Sequence, residues 1–240
     1  MKRFLIILYL LLSLNVHVFS QTNQDKFKEE IESYVTKLST ITDKNQKSFY
    51  YNKIGYIYWI NLKDYDKALE YFELSIDKNK EVKNENGLYN IYTNMASIYN
   101  EKNDFDKALK FHGKSLIVRK SIGNKDIIFD GFYNIAILYS QNGDFTKSNK
   151  TLMDCLEIAE ELKNKKYVKS CYALLSKNYE NLGQSENSLR YFNLYSTLES
   201  TILNEEIAKK EKEADNKVNK VIKEKTYIAN KNKTLEKELK

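Results

Sequence analysis

Two asparagines, Asn94 in YTNMASIY and Asn134 in FYNIAILY, stand 40 residues apart in matching surroundings. A carboxamide carries a donor and an acceptor, so a pair of them at fixed spacing can hold both groups of an extended peptide backbone without reading its side chains. The same asparagines could instead bridge adjacent helices, since polar groups at a seam between elements need partners. Other chemistry is sparse. His112 is the one histidine after His17, and it stands in a slot that Phe72 and Phe192 occupy elsewhere, which predicts a packed core imidazole. No glycine loop for phosphate, HExxH helix or nucleophile elbow is written in the sequence. With no second titratable group set against His112, the residues point away from an enzyme, and no cofactor or metal is expected.

Cys155 and Cys171 are the only cysteines. They fall on neighbouring antiparallel segments, where the residue level with Cys155 is about Leu174, so Cys171 is offset by ~4.5 Å along the axis. Two readings stand: a pair of small buried hydrophobes, or a disulfide within a narrow geometric window.

The elements that carry these residues follow from composition and period. The chain has 240 residues, 42% apolar and 13% aromatic, enough for a core; 7 glycines and no proline leave little to break a helix. A formal charge of +6 is spread with both signs interspersed, which does not make a nucleic-acid stripe. KDYDKALEYF at Lys63 returns as NDFDKALKFH at Asn103, and the step of 40 continues into GDFTKSNKTL and GQSENSLRYF. Tyr99, Tyr139 and Tyr179 keep the same step; the first copy has Tyr58, one residue early, which predicts an extra residue in its turn.

Each copy reads as two amphipathic helices. Between them Asn103, Gly143 and Gly183 occupy a slot suited to positive φ, and Asp64, Asp104 and Asp144 cap the second helix; the fourth copy has Gln184 and Ser185 there. Small residues pair across each turn: Gly55 with Ala68, Ala96 with Ala108, Ala136 with Ser148, Ser176 with Ser188. Only such side chains let two helices close to ~8 Å. Aromatics such as Tyr99 and Phe72 are then expected to fill the space toward the neighbouring hairpin. A lone hairpin leaves one face bare, so the hairpins must stack. The fold expected is all-α, an α-solenoid of antiparallel helix hairpins with a long C-terminal helix.

The order Ala136, Tyr139, Gly143, Ser148, repeated at 40 residues, resembles the tetratricopeptide repeat in the longer form known from kinesin light chains. The resemblance covers four copies over residues 48–201, although the family's Trp near the start and Pro near the end of each repeat are missing. It implies that the first helices line a concave groove, which here would carry Asn52, Tyr56, Asn90, Asn94, Ser97, Tyr133, Asn134, Ile137 and Lys177. The two-Lys, two-Asn clamp that chaperone-binding relatives use for a terminal carboxylate is absent, since its lysine positions carry Asn90, Thr93 and Tyr133.

Flanking segments complete the division. Residues 1–20 hold Lys2, Arg3 and the apolar run from Phe4 to Leu14, the pattern of an export signal cut after Ser20; an uncleaved membrane anchor is the alternative. No lipid-attachment cysteine follows. Residues 21–47 should form a capping helix or half-repeat. In 202–240, Ile207, Ala214, Val221, Ile228 and Leu235 recur every seven residues, but Glu211, Lys225 and Asn232 spoil the second seam position. A solvated helix and a weak homodimer both fit. The stretch from Tyr195 to Val218 resembles the segment that joins repeats to a membrane helix and output module in exported proteins of Bacteroidetes-type bacteria. The expectation is a non-enzymatic scaffold, exported to the periplasm or cell surface, that binds a protein or extended peptide and no nucleic acid. The alternative is a ligand-sensing input domain whose output part is absent or separately encoded.

Overall fold

The computed structural model describes residues 24–238, with side chains described to Ile228 and at Lys231. The export signal expected at 1–20 lies outside the described residues. The described chain is helical: α1 spans 24–40, followed by α2 (Lys44–Tyr56), which continues into a π-helical turn at Ile57–Asn61, α3 (Tyr65–Glu81), α4 (Glu85–Glu101), α5 (Phe105–Ile122), α6 (Lys125–Gln141), α7 (Phe145–Glu161), α8 (Lys165–Asn181) and α9 (Ser185–Glu238). No strand occurs among the described residues. None of the described helices is long and apolar enough to cross a membrane. The chain falls into two compact units, one ending at Asp154 and the other beginning at Cys155, so the division lies within α7.

The turns keep a stricter metre than the 40-residue step suggests. Lys63, Lys83, Asn103, Gly123, Gly143, Lys163 and Gly183 all have positive φ, between 52° and 82°, and they stand every twentieth residue. Each ends a helix in the left-handed conformation and reverses the chain. The next residue caps the following helix, and two alphabets alternate. Asp64, Asp104 and Asp144 accept the backbone N–H of Lys67, Lys107 and Lys147 at 3.1, 3.1 and 3.2 Å. Asn84 accepts from Gly87 at 3.1 Å, and Asn124 and Asn164 from Ile127 and Tyr167 at 3.3 Å. Aspartate therefore starts the second helices α3, α5 and α7 and asparagine the first helices α4, α6 and α8, whereas α2 is capped by Asp43, which accepts from Gln46 N–H at 2.7 Å.

The extra residue of the first copy is not in its turn. Lys63 and Asp64 keep the conformation and cap of the sister turns, and the N–H of Asp64 reaches back six residues to the carbonyl of Tyr58, where Asp104 reaches five to Tyr99. The surplus is absorbed in the π-helical turn, closed by Leu62 N–H on Ile57 O at 3.1 Å. A π-bulge takes up one residue without breaking the helix.

In the first unit α2 packs on α3, α3 on α4, α4 on α5 and α5 on α6. The predicted small pairs meet. Ser148 Oγ donates to the carbonyl of Ala136 at 2.7 Å, Ala96 and Ala108 are fully buried, and a Cβ on Gly55 would stand 2.8 Å from the Phe72 ring and 3.2 Å from Ala68 O. Trp59, Phe72, Ile76, Ile91, Met95 and Ile98 form the core between the first two hairpins, each large side chain contributing about 1.5–3 kcal/mol by leaving water. Tyr99 departs from expectation: it stacks on Phe111 of its own hairpin, centroids 5.3 Å apart and planes at 9°. Tyr58 and Tyr71 repeat this stack at 5.6 Å. The helix α1 packs Ile31, with Phe27 and Tyr34 around it, against Ile54 of α2 and Ile57 of the π-helical turn.

In the second unit α8 packs on α9, with Ser176 Oγ donating to Ser188 O at 3.0 Å and Tyr179 stacked on Tyr191 at 5.5 Å. Cys155 and Cys171 are both fully buried and are not bonded to each other in this structure, where they pack as small apolar groups. The C-terminal helix is not a separate element starting at 202. It is the continuation of the last hairpin's second helix, unbroken from Ser185, because no glycine or proline interrupts it.

Candidate binding groove

Within the first unit the first helices α4 and α6 run side by side over α5, and a cleft of about 220 Å³ opens between them. Its walls are Thr93, Ser97, Asn100 and Glu101 from α4 and Asn134, Ile137, Leu138 and Gln141 from α6; His112 of α5 lies at the floor. The rim is fixed by Asn100, whose Nδ2 donates to Gln141 Oε1 at 2.9 Å. Ser97 Oγ donates to Thr93 O at 3.2 Å. Glu101 is committed elsewhere: its carboxylate accepts from Trp59 Nε1 and the Tyr65 hydroxyl, both at 2.9 Å, and Lys63 stands 3.8 Å away.

Beneath the cleft Arg119 is buried to 5% exposure. Its guanidinium lies 4.3 Å over the Tyr89 ring and donates to Ile127 O at 2.7 Å, Ser115 Oγ at 3.1 Å and Thr93 Oγ1 at 3.4 Å. Burial pushes the pKa of His112 down to about 4, and the Arg119 charge nearby pushes the same way. The imidazole is therefore neutral at pH 7, with one nitrogen donating and the other accepting.

Of the nine residues expected in a groove, the cleft gathers Ser97, Asn134 and Ile137. Asn94 is the α4 equivalent of Asn134. Both are partly buried, and neither side chain makes a hydrogen bond among the described residues; the helix-bridging alternative for this pair is not what the structure contains. The bridge is made about two turns on, by Asn100 and Gln141. Asn90 is exposed and donates to its own helix at Asn86 O, 2.9 Å away. Tyr133 stacks on Phe129 at 5.6 Å. Tyr56 is 49% exposed, edge-on to Trp59. Lys177 is exposed on α8, in the other unit.

Asn52 is turned inward: its Oδ1 is buried and accepts nothing. Its counterpart in the next copy, Thr93, shares a hydrogen bond with Ser115 at 2.9 Å; the serines themselves behave alike in the two copies, Ser75 donating to Ser48 O at 2.7 Å and Ser115 to Tyr89 O at 2.9 Å. Sequence reasoning read His112 as core alone and passed over Asn100 and Gln141. The signal for the last two was present, since both stand in the last turn of a first helix, 41 residues apart.

No metal-binding group of three or more His, Cys, Asp or Glu exists among the described residues. The hairpins, their left-handed turns and their small-residue contacts define a repeat scaffold. Models of the tetratricopeptide repeat match residues 48–121 and 129–162, and the chain is a tetratricopeptide-repeat protein. As a class these repeats are non-catalytic scaffolds for protein interaction. No curated protein matches the chain in sequence.

Solved structures of similar fold include BtubC (BKLC) from P. vanneervenii, 16% identical with a TM-score of 0.62 over 76% of this chain and 78% of that one. The apo form of RapI is 20% identical with a TM-score of 0.65 over 73% of this chain; the chain spans about half of RapI, 49%. A putative kinesin light chain from Podosopora anserina is 12% identical, with a TM-score of 0.61 over 78% and 94%. At these identities the likeness is one of fold.

Proposed function

We propose that the chain is an exported scaffold that holds an extended polypeptide across the face formed by its first helices. The observation that carries this is the pair Asn94 and Asn134, at one repeat position on α4 and α6, whose carboxamides are partly buried and make no hydrogen bond among the described residues. Amides fixed at such a spacing can pair the backbone N–H and C=O of a strand or coil. The cleft beside Asn134 adds room for a side chain. Export to the periplasm or cell surface is part of the same reading, supported by Lys2, Arg3 and the apolar run that follows.

The test is retention of a displayed library of random decapeptides by the immobilised full chain. It should be strong for the wild type and fall about tenfold for Asn94→Ala/Asn134→Ala, on the scale of one or two hydrogen bonds. Equal retention by the two chains removes the reading. Export is tested separately by intact mass of the protein recovered from the producing cell: a chain beginning at Gln21 supports it, and an unprocessed chain in the cytoplasmic fraction ends it.

A second reading, an input domain that passes ligand binding onward, is favoured by one observation. The last hairpin's second helix continues without a break to Glu238, so a shift in that hairpin would be carried along a single rod. Spin labels near Leu203 and Ile228 that respond identically with and without retained peptide would argue against it.

A further inference from the structure

His112 combines three properties that a packing residue does not need together. It is 8% exposed, it lines a cleft, and it makes no hydrogen bond to any described residue. Its nitrogens are also not sealed off, since the only side-chain polar atom both buried and unpartnered among the described residues is Asn52 Oδ1. A buried polar ring without a protein partner is costly unless the space it faces supplies one. The sister slots show that the fold does not demand histidine here: Phe72 and Leu152 fill them, each fully buried.

The rest of the lining says what the partner would be. Asn134 has a free carboxamide, Gln141 keeps its amide N–H groups because its oxygen serves Asn100, and Ser97 keeps its lone pairs because its hydroxyl donates to Thr93 O. The one charge at the edge, Glu101, is taken up by Trp59, Tyr65 and Lys63. Arg119 beneath the cleft is paired with Asp130 at 4.0 Å and spends its N–H groups on Ile127 O, Ser115 and Thr93, so the cleft offers donors and acceptors in balance and no unpaired charge. A carboxylate or an ammonium would enter with nothing to neutralise it, and an aliphatic group would strand the polar lining. A primary amide matches both kinds of partner at once. The volume, about 220 Å³, is below the range of pockets that hold drug-sized ligands and fits one side chain.

We infer that the cleft between α4 and α6 receives the carboxamide side chain of an Asn or Gln in the bound polypeptide, with His112 at its floor as the reading residue. This rests on the peptide-holding role proposed above, and it adds a sequence preference that backbone pairing alone would lack.

The test sequences the decapeptides retained by the full chain. Asn or Gln should be over-represented about tenfold at one position, on the scale of one well-made hydrogen-bonded pair, and return to library frequency with His112→Phe or His112→Leu, the residues the sister slots already accept. Enrichment of an acidic, basic or aliphatic residue there, or amide enrichment that survives both substitutions, overturns the cleft assignment and leaves the backbone-holding role standing. Retention that is indifferent to Asn94→Ala/Asn134→Ala overturns that role, and with it this inference. Independently of any variant, propionamide added to the wild-type chain should shift the His112 imidazole resonances saturably, while propionate and propylamine should not. No shift with propionamide, or an equal shift with all three, overturns the assignment.

Discussion

The indole N–H of Trp59 donates to Glu101 Oε1 at 2.9 Å, and this one bond ties the π-helical turn of the first hairpin to the last turn of α4. Trp59 is 9% exposed and packs edge-on to Phe72, so its N–H sits where water cannot readily replace the carboxylate. Glu101→Ala should therefore leave a buried donor unpaired and lower stability by about 2 kcal/mol. Trp59 is the only tryptophan, so the loss reads directly as increased acrylamide quenching alongside the melting shift. Unchanged quenching would mean that the bond does not hold the turn in place.

The 40-residue step and the small-residue pairs made the hairpins legible in the sequence, because close helix contact tolerates little besides Gly, Ala and Ser at Gly55, Ala96, Ala108 and Ser148. Turns were half legible. Asn103 and Gly143 announce positive φ, but Lys63, Lys83 and Lys163 do not, since a lysine adopts that conformation only when the helices on either side force it. The π-helical turn was visible as a register slip at Tyr58 but not as its location, which depends on which of two backbone segments yields. The cleft was the least legible part. His112 aligns with Phe72 and reads as core, and only the neighbouring first helices reveal that its polar edge meets a cavity.

Gly55 offers a direct measure of how closely the first hairpin packs. An added methyl would meet the Phe72 ring at 2.8 Å and the Ala68 carbonyl at 3.2 Å, and both neighbours are fully buried. Gly55→Ala gains helix propensity of up to about 1 kcal/mol and loses about 1–3 kcal/mol to overpacking, so the net effect should be destabilising. A urea midpoint above that of the wild type would show that Phe72 has room to withdraw.

The left-handed lysines should respond in the opposite direction. Lys63 and Lys163 hold φ at 55° and 52°, a conformation that costs a residue with a Cβ about 1 kcal/mol relative to glycine. The sister position of Lys63 already holds glycine at 143 and 183, and that of Lys163 at 123. Lys63→Gly and Lys163→Gly should each raise stability by roughly 0.5 kcal/mol, after the larger chain entropy of glycine in the unfolded state is set against the relieved strain. Thermal melts of the two single variants and the double variant are sufficient to see it; a fall in all three would place the strain elsewhere.

Acid stability should carry the imprint of His112. Its pKa is held down to about 4 from the ordinary 6.5, first by burial and then by Arg119, so between those values the unfolded chain binds a proton that the folded chain refuses. Stability contributed by the neutral ring is complete above pH 6.5 and is lost as the pH falls toward 4. Between pH 7 and pH 5 the wild type should lose about 2 kcal/mol more than His112→Phe. Carboxylates such as Glu81, held down to about 2 by hydrogen bonds from Lys44 and Lys78, titrate alike in both chains and cancel in the comparison. Parallel pH profiles would mean that the ring is solvated in the folded chain.

Self-association through α9 can be decided by sedimentation. In the first unit Phe72 is covered by Ile91, Met95 and Ile98 of the next first helix, whereas its equivalent Phe192 is 52% exposed and Leu189 beside it 60%. Further along, Ile207, Val218, Val221 and Ile228 are 46%, 57%, 50% and 56% exposed, and every described apolar side chain from Leu203 onward is open to solvent. An unsupported helix of that length gains little from propensity alone, and apolar groups on a seven-residue spacing are stabilised when a second helix covers them. Glu211, Lys225 and Asn232 at the intervening seam positions weaken the pairing, so a dimer that dissociates at micromolar concentrations is expected. Val221→Lys/Ile228→Lys should sediment as a monomer throughout, while the wild type passes from monomer to dimer as concentration rises. A wild-type chain that stays monomeric at hundreds of micromolar would show that α9 is a solvated extension of the last hairpin.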